Sequence, residues 1–268
     1  MDTSSPFEDI PNVSAILTGN IDEASGIANS KNNPGYLWVQ EDSGNPTELT
    51  LLSIDGTVGK KFFLKGITNR DWEDMAIANG PQSGKNYLYL AETGDNNQVF
   101  NEYAIYRFIE PVPTDDTVFS IDALRFKYPD KPHDAEAILI DNASNDIYIL
   151  TKRDSLSLIY RLPYPQSITS TTTAIYEGTM TTSGLTSAAI SPNGNDLLAK
   201  NYTDLFYWKR NSGESISTVL KKQPLKAGYK PEPQGEAICF KNDNAGFFTL
   251  SEKPFFASSV SLNFYKRK

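Results

Sequence analysis

Trp72-Glu73-Asp74-Met75-Ala76-Ile77 recurs as Ala135-Glu136-Ala137-Ile138-Leu139 and Gly235-Glu236-Ala237-Ile238-Cys239, with the acid at the same place each time. Ala24-Ser25-Gly26-Ile27-Ala28 and Thr186-Ser187-Ala188-Ala189-Ile190 share the size profile without the acid. With Ser25, Glu73, Glu136, Ser187 (or Ala188) and Glu236 as the key positions, the spacings are 48, 63, 51 and 49 residues. A period of that length marks a repeat architecture, in which each unit buries its faces only against its neighbours.

Further apolar runs follow each copy in step. Leu37-Trp38-Val39-Gln40-Glu41, Leu88-Tyr89-Leu90-Ala91-Glu92, Tyr148-Ile149-Leu150-Thr151-Lys152, Leu197-Leu198-Ala199-Lys200 and Phe248-Thr249-Leu250-Ser251-Glu252 form a second tier. Ile105–Phe108, Ile159–Leu162, Phe206–Lys209 and Asn263–Lys266 form a third, with Thr50–Ser53 a weaker member. Phe62–Gly66, Leu124–Lys127, Ala174–Gly178 and Thr218–Lys221 form a fourth. All are short, rich in β-branched and aromatic residues and bounded by Gly, Pro, Asn and Asp, so they read as strands. No stretch keeps a helical period over three turns. The fifth unit lacks its fourth strand, because the chain stops at Lys268, whereas Ser14–Gly19 is a strand without a unit. Supplying one from the other gives an all-β, five-bladed β-propeller with four strands per blade, closed by an N-terminal strand that completes the last blade. The expected blades are 21–66, 70–128, 133–178, 185–222 and 234–268 plus 12–19, in a single domain of 1–268. A β-sandwich is the rival fold, but it leaves the displaced strand unexplained.

Composition narrows the chemistry. Of 268 residues 39% are hydrophobic, and 25 Lys and Arg against 33 Asp and Glu leave a net charge of −8. A chain this acidic repels nucleic acid, whose binding is dominated by phosphate charge. It has no apolar run long enough to span a membrane. One cysteine, Cys239, excludes an internal disulfide and any cysteine-built zinc site, and one histidine, His133, excludes a His-rich metal centre. No signal peptide is visible at Met1–Pro6. Few Cys and many Asn, Thr, Ser and Tyr point to an extracellular, periplasmic or cell-envelope protein, with a cytoplasmic one as the alternative, and a monomer is expected.

In a propeller the first strand of each unit lines the central channel and the second returns beside it. The starts of the first strands and the ends of the second therefore meet at one channel mouth. Ser25, Glu73, Glu136, Ser187 and Glu236 form the expected inner ring. Glu41, Asp42, Glu92, Lys152, Arg153, Lys200 and Glu252 form a collar around it, and Asp71 and Asp134 stand on the approach loops. Lys152, Arg153 and Lys200 come from neighbouring blades, so the collar should be basic on one side and acidic on the other, suited to a small polar or anionic molecule. Three converging carboxylates either protonate or take a cation. An oxygen-only donor set favours Ca²⁺ over Zn²⁺, and over Mg²⁺ with its stricter geometry. The plain alternative pairs these acids with Lys152, Lys200, Arg153 and Lys253 in a solvated tunnel.

A ring of Ser25, Glu73, Glu136, Ser187 and Glu236 resembles the channel of the calcium-activated nucleotidases (apyrases), and that resemblance implies a calcium ion held by these five residues. Asp71-Trp72-Glu73-Asp74-Met75-Ala76 and Gly235-Glu236-Ala237-Ile238 equally resemble bacterial envelope propellers of the SdiA-regulated type. The aromatic insertions that hold a base in the nucleotidases are not evident here.

Other signals are weaker. His133, Arg153 and Glu92 are the catalytic candidates: His133 as a general acid–base group on a mouth-facing loop, Arg153 as a grip on phosphate. Glu92-Thr93-Gly94-Asp95-Asn96-Asn97 has the composition of a calcium loop but not the spacing of an EF-hand, and reads as a turn. Two function classes remain: a calcium-binding scaffold with a polar ligand site at the channel mouth, and a calcium-dependent hydrolase of phosphate- or sugar-containing small molecules.

Overall fold

Each repeat folds into one antiparallel sheet, as the alternation of apolar runs and turn residues requires. A computed structural model describes residues 5–17 and 20–268. Blade 1 comprises Ala24–Asn29, Tyr36–Glu41, Glu48–Ser53 and Val58–Leu64, and blade 2 comprises Trp72–Asn79, Asn86–Glu92, Tyr103–Ile109 and Asp122–Lys127. Blade 3 comprises Ala135–Ile140, Ile147–Thr151, Leu158–Leu162 and Ile175–Thr179. Blade 4 comprises Ser187–Ile190, Asp196–Lys200, Leu205–Lys209 and Leu225–Ala227. Gly235–Phe240, Gly246–Ser251 and Ser259–Lys266 form most of blade 5, and Asn12–Leu17 completes it. Two short strands, Thr117–Val118 and Thr172–Thr173, add in parallel to the outer edges of blades 1 and 2.

The ring closes as the displaced strand requires. Asn12–Leu17 runs antiparallel to Ser259–Lys266, from the pair Asn12↔Phe264 to Leu17↔Ser259; Thr18 and Gly19 of the expected strand lie outside the described residues. Upstream, Phe7 bridges to Arg267 and is fully buried, edge-on to Phe247 at 5.0 Å and Tyr207 at 5.9 Å. The N-terminal segment therefore seals the seam between blades 4 and 5 as well as supplying a strand. Closure leaves no open end in the ring of sheets.

Burial on both faces explains why the two inner strands of each blade read as continuous apolar runs. Leu37 and Val39 pack toward blade 5, with Phe248 and Leu250, whereas Trp38 between them packs toward blade 2, with Leu88 and Leu90. Five such clusters fill the five seams. A polar staple reinforces the first seam. The buried Glu110 carboxylate accepts from Ser30 Oγ at 2.6 Å, Lys31 N at 2.8 Å and Trp38 Nε1 at 3.0 Å.

One expected strand is a helix. Thr218–Lys221 falls in and just after Ile216–Leu220, and the outer strand of blade 4 lies beyond it, at Leu225–Ala227. Ser215 caps the helix, its Oγ accepting from Thr218 N at 3.1 Å, and Ile216, Val219 and Leu220 bury the face that their i, i+3, i+4 spacing creates. The helix has five residues, too few for a periodicity test over three turns to register.

Candidate metal centre

The inner strands aim the ring residues by a shared irregularity. Pairing slips between Ala24 and Gly26, Trp72 and Met75, Ala135 and Ala137, and Gly235 and Ala237. Ser25, Glu73, Glu136 and Glu236 thus sit on β-bulges, which re-aim a side chain out of the ladder. Blade 4 keeps regular pairing, with Ser187 opposite Lys200.

Two carboxylate triads form at the mouth. Asp42, Asp71 and Glu73 bring one oxygen each within 4.8 Å of one another, and so do Glu73, Asp134 and Glu136. Glu73 belongs to both. The second triad carries its own counter-charge. Lys152 Nζ contacts both oxygens of Glu136, and Arg153 Nε lies 2.7 Å from Asp134 Oδ2. The first triad does not. Asp42 Oδ1 accepts from Ser43 N at 2.5 Å, and the Ser43 hydroxyl bonds Asp71. Among the described residues no ammonium or guanidinium bonds Asp42, Asp71 or Glu73, and the Glu73 carboxylate has no hydrogen-bond donor although the residue is only 5% exposed.

Burial, then mutual repulsion, sets the ionisation here. Burial pushes Asp42 up to about 6 against the Ser43 amide, and also raises Asp71. Glu73 is driven well above the usual carboxylate range by burial and then by Glu136. Glu136 is held near 8, burial outweighing Lys152. Such a group is relieved by a cation as well as by protons. The chain's geometry suits one. A Cβ on Gly94 would stand 2.1 Å from Glu73 Oε1 and 2.4 Å from Asp71 Oδ2, so only glycine lets both carboxylates occupy that wall. Hard oxygen donors with no nitrogen or sulfur fit an ion of the calcium type.

Glu41 and Glu92, expected as collar ligands, brace the approach loops. Glu41 Oε1 accepts from Asp22 N at 2.8 Å and Glu23 N at 3.2 Å; Glu92 Oε1 accepts from Arg70 N at 3.0 Å and Asp71 N at 2.7 Å. Glu92 thereby fixes Asp71. Glu252 takes the Gln234 amide at 2.7 Å, and burial with the neighbouring Glu236 raises it to about 9. Glu236 stands outside both triads, accepting from Tyr202 OH at 2.5 Å, with Lys152 4.0 Å away.

Several expectations need correction. Lys200 does not reach the mouth. It is fully buried, bonded to Gly235 O, and its Nζ lies 5.4 Å from the centroid of the Tyr229 ring. Lys152 folds onto Glu136, so the collar has no separate basic half of Lys152, Arg153 and Lys200. His133 is fully buried rather than mouth-facing, between Asp154 at 3.0 Å, Asp130 at 3.0 Å and Tyr160 OH at 2.9 Å. The ring serines turn elsewhere. Ser25 Oγ donates to Glu73 O at 2.7 Å, and Ser187 Oγ to Asp74 Oδ1 at 2.9 Å.

Asp74 was not among the expected site residues. It replaces the Gly26, Ala137, Ala188 and Ala237 of the other repeats, and being the one acid at a small-residue position is the signal that marks it. Its buried carboxylate also takes Met75 N at 2.9 Å, Ile138 N at 2.9 Å and Ala188 N at 3.5 Å, joining blades 2, 3 and 4 across the channel. Burial lifts it to about 8 against these donors.

No protein-family model matches the chain, and no curated protein matches its sequence. Solved structures do resemble it. A gluconolactonase from Xanthomonas campestris superposes with a TM-score of 0.51 over 98% of this chain and 98% of its own, at 13% identity. The luciferin-regenerating enzyme gives 0.51 over 96% and 95%, at 9% identity. An auxiliary nutrient binding protein from Bacteroides thetaiotaomicron gives 0.53 over 96% and 77%, at 9% identity. At such identity the likeness shows the fold alone. Among the described residues no helix is long and apolar enough to cross a membrane.

Proposed function

We propose that this protein is a calcium-binding propeller of the cell exterior or envelope, which holds its ion off the channel axis between Asp42, Asp71 and Glu73 and offers the ion's open side to a small polar or anionic molecule. The observation that carries the reading is the undercompensated triad: among the described residues no cation is hydrogen-bonded to its three carboxylates and only the charge of Arg70 acts on Asp71, while the neighbouring triad is contacted directly by Lys152 and Arg153. Asp134 and Glu136 flank the ion's position, and Glu92 and Gly94 fix the geometry of Asp71 and Glu73. Asp42 and Asp71 are only half-buried, which leaves a side for a ligand to approach.

A second reading, calcium-dependent hydrolysis of phosphate- or sugar-containing small molecules, draws on Lys152 and Tyr202. Lys152 Nζ donates to Tyr202 OH at 3.2 Å and stands beside the triads, where its ammonium would donate to an oxygen gaining negative charge, while the one Tyr202 proton is held by Glu236 and the ring oxygen orients Lys152. A bound calcium would polarise a carbonyl or phosphoryl group. The gluconolactonase name of one structural neighbour makes a sugar lactone a reasonable first substrate to try.

The test is calcium titration by calorimetry, with melting followed in calcium and in chelator. One ion per chain is expected, with a higher melting temperature in calcium by mass action. Asp71→Asn, Glu73→Gln and Gly94→Ala should each weaken binding at least about tenfold, since ligand charge and site rigidity set calcium affinity. Glu136→Gln should weaken it less, because Lys152 already neutralises that acid. Equal affinity in Glu73→Gln and the parent would place the ion elsewhere. Lactonase and phosphatase screens with Lys152→Ala then separate the two readings.

A further inference from the structure

Strand Gly246–Ser251 ends at the mouth, and the chain returns to Ser259–Lys266 through an anchored, apolar tip. Lys253 holds its base twice, its N donating to Asp22 O at 2.7 Å and its Nζ reaching Asp22 Oδ2 at 2.7 Å. Beyond the anchor, Ala257 N donates to Pro254 O at 2.8 Å, closing a four-residue turn whose central residues are Phe255 and Phe256. Their rings meet edge to face at 4.7 Å. The two residues are 88% and 94% exposed, more than any other large apolar residue among those described. Apolar side chains gathered in water at one place mark a contact surface.

Shape and charge choose the occupant. The equivalent loops of blades 2 and 3, between their second and third strands, raise Val99, 61% exposed, and Leu156, 42% exposed, on the same face. Apolar points spread around one face of a disc are covered together by a flat apolar phase, whereas a pocket on a protein takes one of them. Between these points the mouth is acidic: Glu23 is exposed, and Asp42 and Asp71 are half-buried. The whole chain carries a net charge of −8. That charge repels an anionic bilayer. It complements the ammonium groups that stand outermost on phosphatidylcholine, which aromatic faces also attract.

We propose that the mouth face docks on a zwitterionic lipid bilayer, with Phe255 and Phe256 inserted below the headgroups and choline ammonium groups over the mouth carboxylates. The contact needs no bound calcium, so it is tested without the ion, and its failure leaves the calcium reading untouched.

The experiment is co-sedimentation of the full chain with phosphatidylcholine vesicles and, separately, with phosphatidylserine vesicles, both in chelator at low salt. The parent is expected to partition onto phosphatidylcholine and at least about tenfold more weakly onto phosphatidylserine. That comparison needs no variant to fold. Replacing both rings, Phe255→Ser with Phe256→Ser, should weaken partition at least about tenfold, as the loss of two inserted aromatic side chains implies. In Phe255→Trp the added fluorescence should shift to the blue on phosphatidylcholine vesicles and be quenched by brominated lipid. No partition onto phosphatidylcholine, equal or stronger partition onto phosphatidylserine, or parent-like partition of the serine double variant would each overturn the proposal. So would a blue shift that grows with protein concentration in the absence of vesicles, which would mark a second copy of this chain as the occupant.

Discussion

Lys200 shows how one residue departs from its sequence neighbours. The sequence places it beside Lys152 at the strand ends, yet it lies fully buried under the mouth, its pKa pulled down to about 8 by burial against the opposing charges of Glu232 and Glu236. The sign follows from linkage. The folded value lies below the unfolded one of about 10.4, so between these values the unfolded chain holds more protons and stability rises with pH. The cost of the buried ammonium is present in full below about pH 8. We therefore expect the unfolding free energy of the parent, relative to Lys200→Met, to climb by about 2–3 kcal/mol from pH 8 to 10.5, at about 1.4 kcal/mol per unit when fully engaged. Urea denaturation across that range reads it; a flat difference would mean that the amine is as solvated folded as unfolded. Asp42, Asp71 and Glu73 teach the same lesson in reverse. Each is visible as an acid in the right tier, but which carboxylates meet depends on the bulges and on Gly94, neither of which a residue spacing reveals.

Among the elements, the two inner strands of each blade were legible because they are buried on both faces and so carry nearly unbroken apolar runs, whereas the outer strands are half exposed. The helix Ile216–Leu220 was not legible, since Val219 and Leu220 suit either structure over so few residues. Local chemistry decides it. Ser215 satisfies a free N–H of the first turn, and the helix packs its apolar side on the core between blades 3 and 4. Ser215→Ala should cost about 1 kcal/mol, the usual worth of a lost N-cap, read as a lower urea midpoint at unchanged slope. Glycine there should cost only a few tenths, since it tolerates the cap conformation. Equal losses would show that the hydroxyl contributes through Ser217 or Thr218 side chains instead.

At the scale of the whole molecule, closure is the decisive event. Deleting residues 1–20 removes the outer strand of blade 5, the Phe7 plug and the buried Ile16 together. Burial of two large apolar side chains alone is worth about 3–6 kcal/mol, so the truncated chain should melt at least about 10 °C lower. A truncated protein with the parent melting temperature would show that the ring holds without its closing strand.

What the sequence determined by itself is periodic: the number of blades, the order of strands, the inner position of Glu73, Glu136 and Glu236, and the exchange of a strand between the termini. These follow from patterns of burial, which repeat because every blade meets the same two neighbours. What only the tertiary structure decided is pairwise. Lys152 neutralises Glu136, Tyr202 holds Glu236, Ser25 and Ser187 turn to other acceptors, and Asp42 and Asp71 close on Glu73. Such contacts join side chains from different blades at distances of a few ångströms. Charge interactions at that range change steeply with position and dielectric, so they are fixed by the three-dimensional path of the chain and not by its period.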